Sequence, residues 1–146
     1  MLALWPTRQS AATTPIVQRM AQALPRIAIV DDDPSVLKAL ARLLRARAFE
    51  ASTYTSAREF LGALHEGLPE CLIVDLQMPD MTGLELQRHL TSSGLRIPTI
   101  VITAHNEAGA RERCESAGAA AFLSKPLQDT SLLAAIGAAT GRAIQN

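Results

Sequence analysis

The stretch "IAIVDDDPSV", residues 27–36, sets four apolar residues directly before three adjacent carboxylates and a proline. A short continuous apolar run is the pattern of a strand buried on both faces, as in a parallel sheet. Asp33 ahead of Pro34 reads as a helix start, with aspartate at the N-cap and proline in the first helical position. Val36, Leu37, Leu40, Leu43 and Leu44 then recur at helical spacing, with Lys38, Arg42 and Arg45 on the other face. The stretch is therefore a buried strand turning into an amphipathic helix. Capping accounts for Asp33 and leaves Asp31 and Asp32 unexplained.

Downstream the same alternation repeats. Strands are expected over residues 26–30, 49–53, 71–74, 97–103 and 119–123, the second more polar and so nearer an edge. Helices are expected over 56–65, 83–92, 106–117 and from 129 to about 143, punctuated by Gly67, Pro69 and Gly83. The helix at 106–117 is weakly apolar, and Gly109 inside it would cost ~1 kcal/mol against alanine. Alternating strand–helix units with apolar strands predict an α/β fold: a doubly wound, three-layer αβα sandwich on five parallel strands.

Upstream, residues 1–24 form a separate leader, with residues 25–146 as the domain proper. "TRQSAATT" is small and polar, whereas Thr14, Pro15, Ile16, Val17, Met20 and Leu24 are spaced for a short amphipathic helix. The leader reads either as flexible or as that helix.

Composition narrows the function classes. Of the 146 residues, 48% are hydrophobic and 14 Lys+Arg balance 14 Asp+Glu, so a globular domain is expected with no basic surface for nucleic acid or membrane. The longest Ala/Leu run, "LLAAIGAA" (132–139), is far short of a membrane span, and the start has no secretory apolar core. Cys71 and Cys114 form no metal-ligand pattern and read as buried free thiols in a reducing cytosol, so the chain is placed in the cytoplasm.

Ligands of open parallel sheets bind at the carboxyl ends of the strands. The first strand ends in Asp31, Asp32 and Asp33, the third in Asp75, the fourth in Thr103, and the fifth runs into Lys125 and Pro126. Gathered acids suit a hard divalent cation that takes oxygen ligands and keeps several waters. Asp75, in "IVDLQMPDMTG" (73–83), reads either as a further metal ligand or as a carboxylate nucleophile; Asp80 reads as solvated. Proline after Lys125 restricts its backbone to extended geometry, so its ammonium is aimed. Phosphoryl transfer needs such a set: a cation and fixed positive charge where negative charge develops.

The motifs "IVDDD" (29–33), "IVDLQMPDMTG" (73–83), "IPTIVITAH" (97–105) and "GAAAFLSKPL" (118–127) stand in order at family spacing. In these, residues 26–143 resemble a response-regulator receiver domain of bacterial two-component signalling, the CheY-like fold. The chain most resembles receivers of the FixJ/LuxR-type regulators. The resemblance implies the strand order 2-1-3-4-5. It implies Asp75 as the phospho-acceptor, and Mg²⁺ (or Mn²⁺) held by Asp32, Asp75 and the Gln77 backbone carbonyl, with Asp31 acting through water. Lys125 would pair with Asp75 and then with a phosphoryl oxygen. Thr103 would be the switch hydroxyl and Phe122 the switch aromatic, a position where many members carry Tyr. Gln77 and His105 would flank the hydrolytic water and tune the lifetime of the phosphoryl group.

The implied partner is a sensor histidine kinase or phosphotransfer protein. The implied output is a change in the surface of the fourth helix, fifth strand and fifth helix, through which a second copy would dimerise on phosphorylation. Such a module catalyses only its own phosphorylation and dephosphorylation. Two other readings compete with it. A metal-dependent phosphohydrolase needs an acid two residues after its nucleophile; Gln77 fills that place after Asp75, whereas Asp33 does lie two after Asp31. A degenerate receiver used only for binding fits poorly with a complete acid, Thr and Lys set. About twenty residues follow Lys125, room for one helix, so the chain reads as a stand-alone receiver or as a piece of a longer regulator.

Overall fold

The computed structural model describes residues 24–141. The leader helix expected over residues 14–24, but for Leu24, and the last residues of the final expected helix lie outside the described residues. Five strands, β1 (Arg26–Val30), β2 (Glu50–Tyr54), β3 (Cys71–Asp75), β4 (Thr99–Thr103) and β5 (Ala121–Ser124), form one sheet in the order β2-β1-β3-β4-β5. Every pairing is parallel. The helices are α1 (Pro34–Ala46), α2 (Ala57–Ala63), α3 (Gly83–Ser92), α4 (Ala110–Ser116) and α5 (Asp129–Thr140), with a 3-10 turn at Leu64–Glu66 after α2. This is the doubly wound α/β sandwich expected from the alternation, with the more polar β2 at an edge.

Strand side chains alternate between two cores. Ile27, Ile29, Ile73, Ile100 and Ile102 pack with α1 and α5 on one face; Ala28, Val30, Val74 and Val101 pack with Phe60, Leu86 and Cys114 on the other. Both faces are covered, which is why β3 and β4 are buried along their whole length. Among the described residues no helix is long and apolar enough to cross a membrane.

The helix starts follow their caps. The Asp33 carboxylate accepts from the Ser35 N–H, and Pro34 opens α1. Thr82 and Glu85 form a reciprocal capping box at the start of α3. The fourth helix departs from expectation: α4 starts at Ala110, four residues later than the apolar pattern suggested. Gly109 is not inside it. It stands at the N-cap with a left-handed backbone (φ 80°), so the ~1 kcal/mol interior penalty does not apply. Residues 104–109 are therefore loop, and they border the strand ends.

Candidate functional site

Val30 of β1 pairs with Val74 of β3, so the residues just beyond them, Asp31 and Asp75, emerge side by side at the carboxyl edge of the sheet. One carboxylate oxygen from each of Asp31, Asp32 and Asp75 lies within 4.8 Å of the others. Asp31 is completely buried and Asp75 is 5% exposed, while Asp32 opens to solvent. Asp33 belongs to α1: it is exposed, and the Ser35 hydroxyl and N–H hold its carboxyl below the usual range. The four acids thus divide into three that converge and none to spare for the helix but Asp33.

Lys125 reaches the cluster from the end of β5. Its Nζ lies 2.9 Å from Asp31 Oδ2 and 3.6 Å from Asp75 Oδ2. The resemblance paired it with Asp75, but the nearer partner is Asp31. Asp31 is the more buried of the two acids, and its other oxygen is engaged by the Asp33 N–H at 2.9 Å. A carboxylate so far from water needs a counter-charge most. Burial depresses the lysine, but the Asp31 hydrogen bond and the charges of Asp75 and Asp31 outweigh it and hold the ammonium above its ordinary pKa. Asp75 is pushed up, first by burial and then by the charge of Asp31, against the pull of Lys125 and the Gln77 N–H. Three carboxylates face one ammonium, and one side of the cluster is wet. An all-oxygen set with surplus negative charge and a solvent-facing side fits a hard divalent cation that retains water.

Thr103 ends β4 fully buried, and the Lys125 N–H donates to its carbonyl at 2.7 Å. Its hydroxyl is turned toward the following loop: it donates to the His105 carbonyl at 2.8 Å and accepts from the His105 N–H at 3.1 Å. The Gln77 N–H points at Asp75 Oδ1 from 3.4 Å. Phe122 pairs in register with Val101, is 3% exposed, and has the Arg111 guanidinium 5.1 Å from its ring centroid. Asp80 lies exposed on the β3–α3 loop, as expected.

Two residues of this edge were missed by sequence reasoning. Glu107 accepts a hydrogen bond from Gln77 Nε2 at 3.0 Å across 30 residues of chain. The only available signal was Gly109, a helix breaker that could have returned Glu107 to the loop. Gly83 opens α3 so close to the end of β3 that a Cβ would sit 2.5 Å from the Asp75 carbonyl oxygen. It had been read only as punctuation.

Known proteins resemble this chain in sequence and in fold. The sequence profile of the response regulator receiver domain matches residues 27–137. The response regulator protein TodT of Pseudomonas putida is 40% identical over 113 residues, 77% of this chain and 50% of that protein. The transcriptional regulatory protein FixJ of Azorhizobium caulinodans is 36% identical over 129 residues, 86% of this chain and 59% of that protein. A solved response regulator receiver protein from Burkholderia phymatum superposes with a TM-score of 0.75 at 44% identity, over 84% of this chain and 99% of its own. The chain spans about half the length of the curated relatives it matches first.

Proposed function

The chain belongs to the response regulator receiver domain family, and from that premise we propose that it accepts a phosphoryl group on Asp75 from a histidine kinase or phosphotransfer protein in the cytoplasm. The observation that carries the reading is the Lys125 ammonium set between Asp31 and Asp75 inside the acid cluster. The donor is a phosphohistidine. An Asp75 carboxylate oxygen attacks phosphorus in line, the phosphorus–nitrogen bond breaks, and the imidazole leaves with the bonding pair. The asymmetric lysine suits this step. Freed from Asp75, the longer of its two contacts, it keeps Asp31 and turns to a phosphoryl oxygen.

Asp32, Asp75 and the Gln77 carbonyl would hold Mg²⁺ (or Mn²⁺), with Asp31 acting through water. When bound, the ion supplies neutralisation of the charge on the transferring group.

The switch is nearly balanced on its own. Thr103 must give up two neutral hydrogen bonds to His105, each worth a net ~0.5–1.5 kcal/mol, for a charge-assisted bond to the phosphoryl group worth ~1.5–3 kcal/mol. Phe122 has no hydroxyl, so its positions differ by packing and by its contact with Arg111 on α4. A full shift from 1:99 to 99:1 needs roughly 5.5 kcal/mol, so the exchange of bonds gives a partial shift of the α4-β5-α5 surface. Pairing of that surface with a second copy supplies the remainder. His105 follows the switch threonine and, with Gln77, tunes the lifetime of the phosphoryl group.

The test is incubation with an acyl phosphate and Mg²⁺, followed by intact-mass measurement. Uptake of one phosphoryl group is expected, abolished by Asp75→Asn and by a chelator. Uptake by Asp75→Asn, or continuous phosphate release by that variant, rules the assignment out.

A further inference from the structure

Gln77 and Glu107 belong to the two loops that flank the acceptor: Gln77 follows β3, which ends in Asp75, and Glu107 follows β4, which ends in Thr103. Their side chains meet, Gln77 Nε2 donating to Glu107 Oε1 at 3.0 Å, so a side-chain bridge joins the loops beside the strand ends. The backbone of Glu107 is itself held in place. Its N–H donates to the His105 carbonyl at 3.1 Å, and its own carbonyl accepts from the Ala110 N–H at 3.1 Å. The His105 carbonyl is also the acceptor of the Thr103 hydroxyl. A continuous chain of hydrogen bonds therefore runs from Thr103, through the His105 carbonyl and the Glu107 turn, to the side chain of Gln77. At its far end the Gln77 N–H faces Asp75.

Resting on the phospho-acceptor reading above, we propose that Glu107 is a positioning residue: it latches the Gln77 side chain across the mouth of the site and so lengthens the life of the aspartyl phosphate. Hydrolysis adds water to phosphorus and returns the Asp75 carboxylate and inorganic phosphate. The water must approach opposite the Asp75 oxygen, from the solvent side that the two loops border. With the latch closed, Gln77 is drawn to the facing loop and narrows that approach. When Thr103 turns to the phosphoryl group it leaves the His105 carbonyl, and the turn that presents Glu107 loses one of its ties. The latch thereby couples the switch to the lifetime. An exposed hydrogen bond to a carboxylate keeps such a latch closed several-fold more often than open, so its loss speeds hydrolysis about three- to tenfold.

The experiment is a double-mutant cycle on the rate of phosphoryl loss, with loading of each variant first recorded by intact mass. Glu107→Ala is expected to speed the loss about three- to tenfold with Gln77 present, and to leave it within about 1.5-fold in a Gln77→Ala background. Glu107→Gln, which keeps an acceptor oxygen, restores a near wild-type rate. The Gln77 side-chain amide resonances shift in Glu107→Ala more than in Glu107→Gln. An equal acceleration in both Gln77 backgrounds overturns the proposal, because Glu107 then acts through its charge or through loop stability. Unchanged lifetimes in loaded variants overturn it as well. Failure of every form to load overturns the phospho-acceptor reading and the latch with it.

Discussion

Replacing Gly83 with alanine sets two effects against each other in one methyl group. Alanine is the better helix former by up to ~1 kcal/mol, less in a first turn, and Gly83 opens α3. The new Cβ, however, would lie 2.5 Å from the Asp75 carbonyl oxygen, 3.0 Å from Leu76 Cα and 3.1 Å from the Asp75 carbonyl carbon. All three are backbone atoms at the end of β3, so no side chain can swing aside. Restoring ordinary contact requires a shift of about 0.7 Å or more between α3 and the end of β3. Overpacking of this kind costs ~1–3 kcal/mol. After the propensity gain, Gly83→Ala should destabilise by ~1–2 kcal/mol and lower Tm by roughly 3–10 °C. Gly62, in α2, has no heavy atom within 4 Å of its would-be Cβ. There the propensity term stands alone, and Gly62→Ala should stabilise by ~0.5–1 kcal/mol. Urea unfolding of both variants at constant m-value measures the two signs. Because the displaced atoms belong to Asp75, Gly83→Ala should also slow phosphoryl uptake, which intact-mass time courses read. A Gly83→Ala protein as stable as wild type would refute the close approach of α3 and β3.

Two further outcomes follow from the buried ionisable groups. The Asp75 carboxyl titrates higher in the folded than in the unfolded chain, first through burial and then through the charge of Asp31. The stability it contributes is therefore fully present below its ordinary pKa and is lost as pH rises through the folded value. In metal-free buffer Asp75→Asn should match wild type in acid and become the more stable protein toward neutrality; coincident urea midpoints at every pH would remove that argument. Burial pushes the Cys71 thiol up to about 12 and raises that of Cys114. At pH 8 only about 10⁻⁴ of Cys71 is thiolate, so an aromatic disulfide reagent should modify both cysteines in guanidinium and neither in the native protein. Rapid modification of one thiol without denaturant would contradict their complete burial.

The fold was legible because its strands are continuously apolar and its helices carry their own start signals. Asp33 with Pro34 caps α1 as read from the sequence, and the structure adds Ser56 and the Thr82–Glu85 box at the starts of α2 and α3, close to where those helices were expected. The exception was α4, whose weak periodicity let residues 106–109 pass as helix; the backbone demand of Gly109 decided otherwise. The convergence of Asp31, Asp32, Asp75 and Lys125 was also legible, since strand ends of a parallel sheet share one edge. Which acid lies nearer the lysine was not, because relative burial depends on packing that no local pattern encodes. The Gln77–Glu107 bond left no trace either: an exposed polar pair 30 residues apart has no periodicity.

The single ammonium of the site has a consequence in time. Asp31 stands just past the first strand and Lys125 just past the last, 94 residues apart, yet they share one ion pair. A ribosome delivers the acids early and their counter-charge late. Until β5 has emerged and docked on β4, the pocket holds carboxylates with no ammonium among them, and like charges hold its edge open. The cluster is thus completed only when the sheet is.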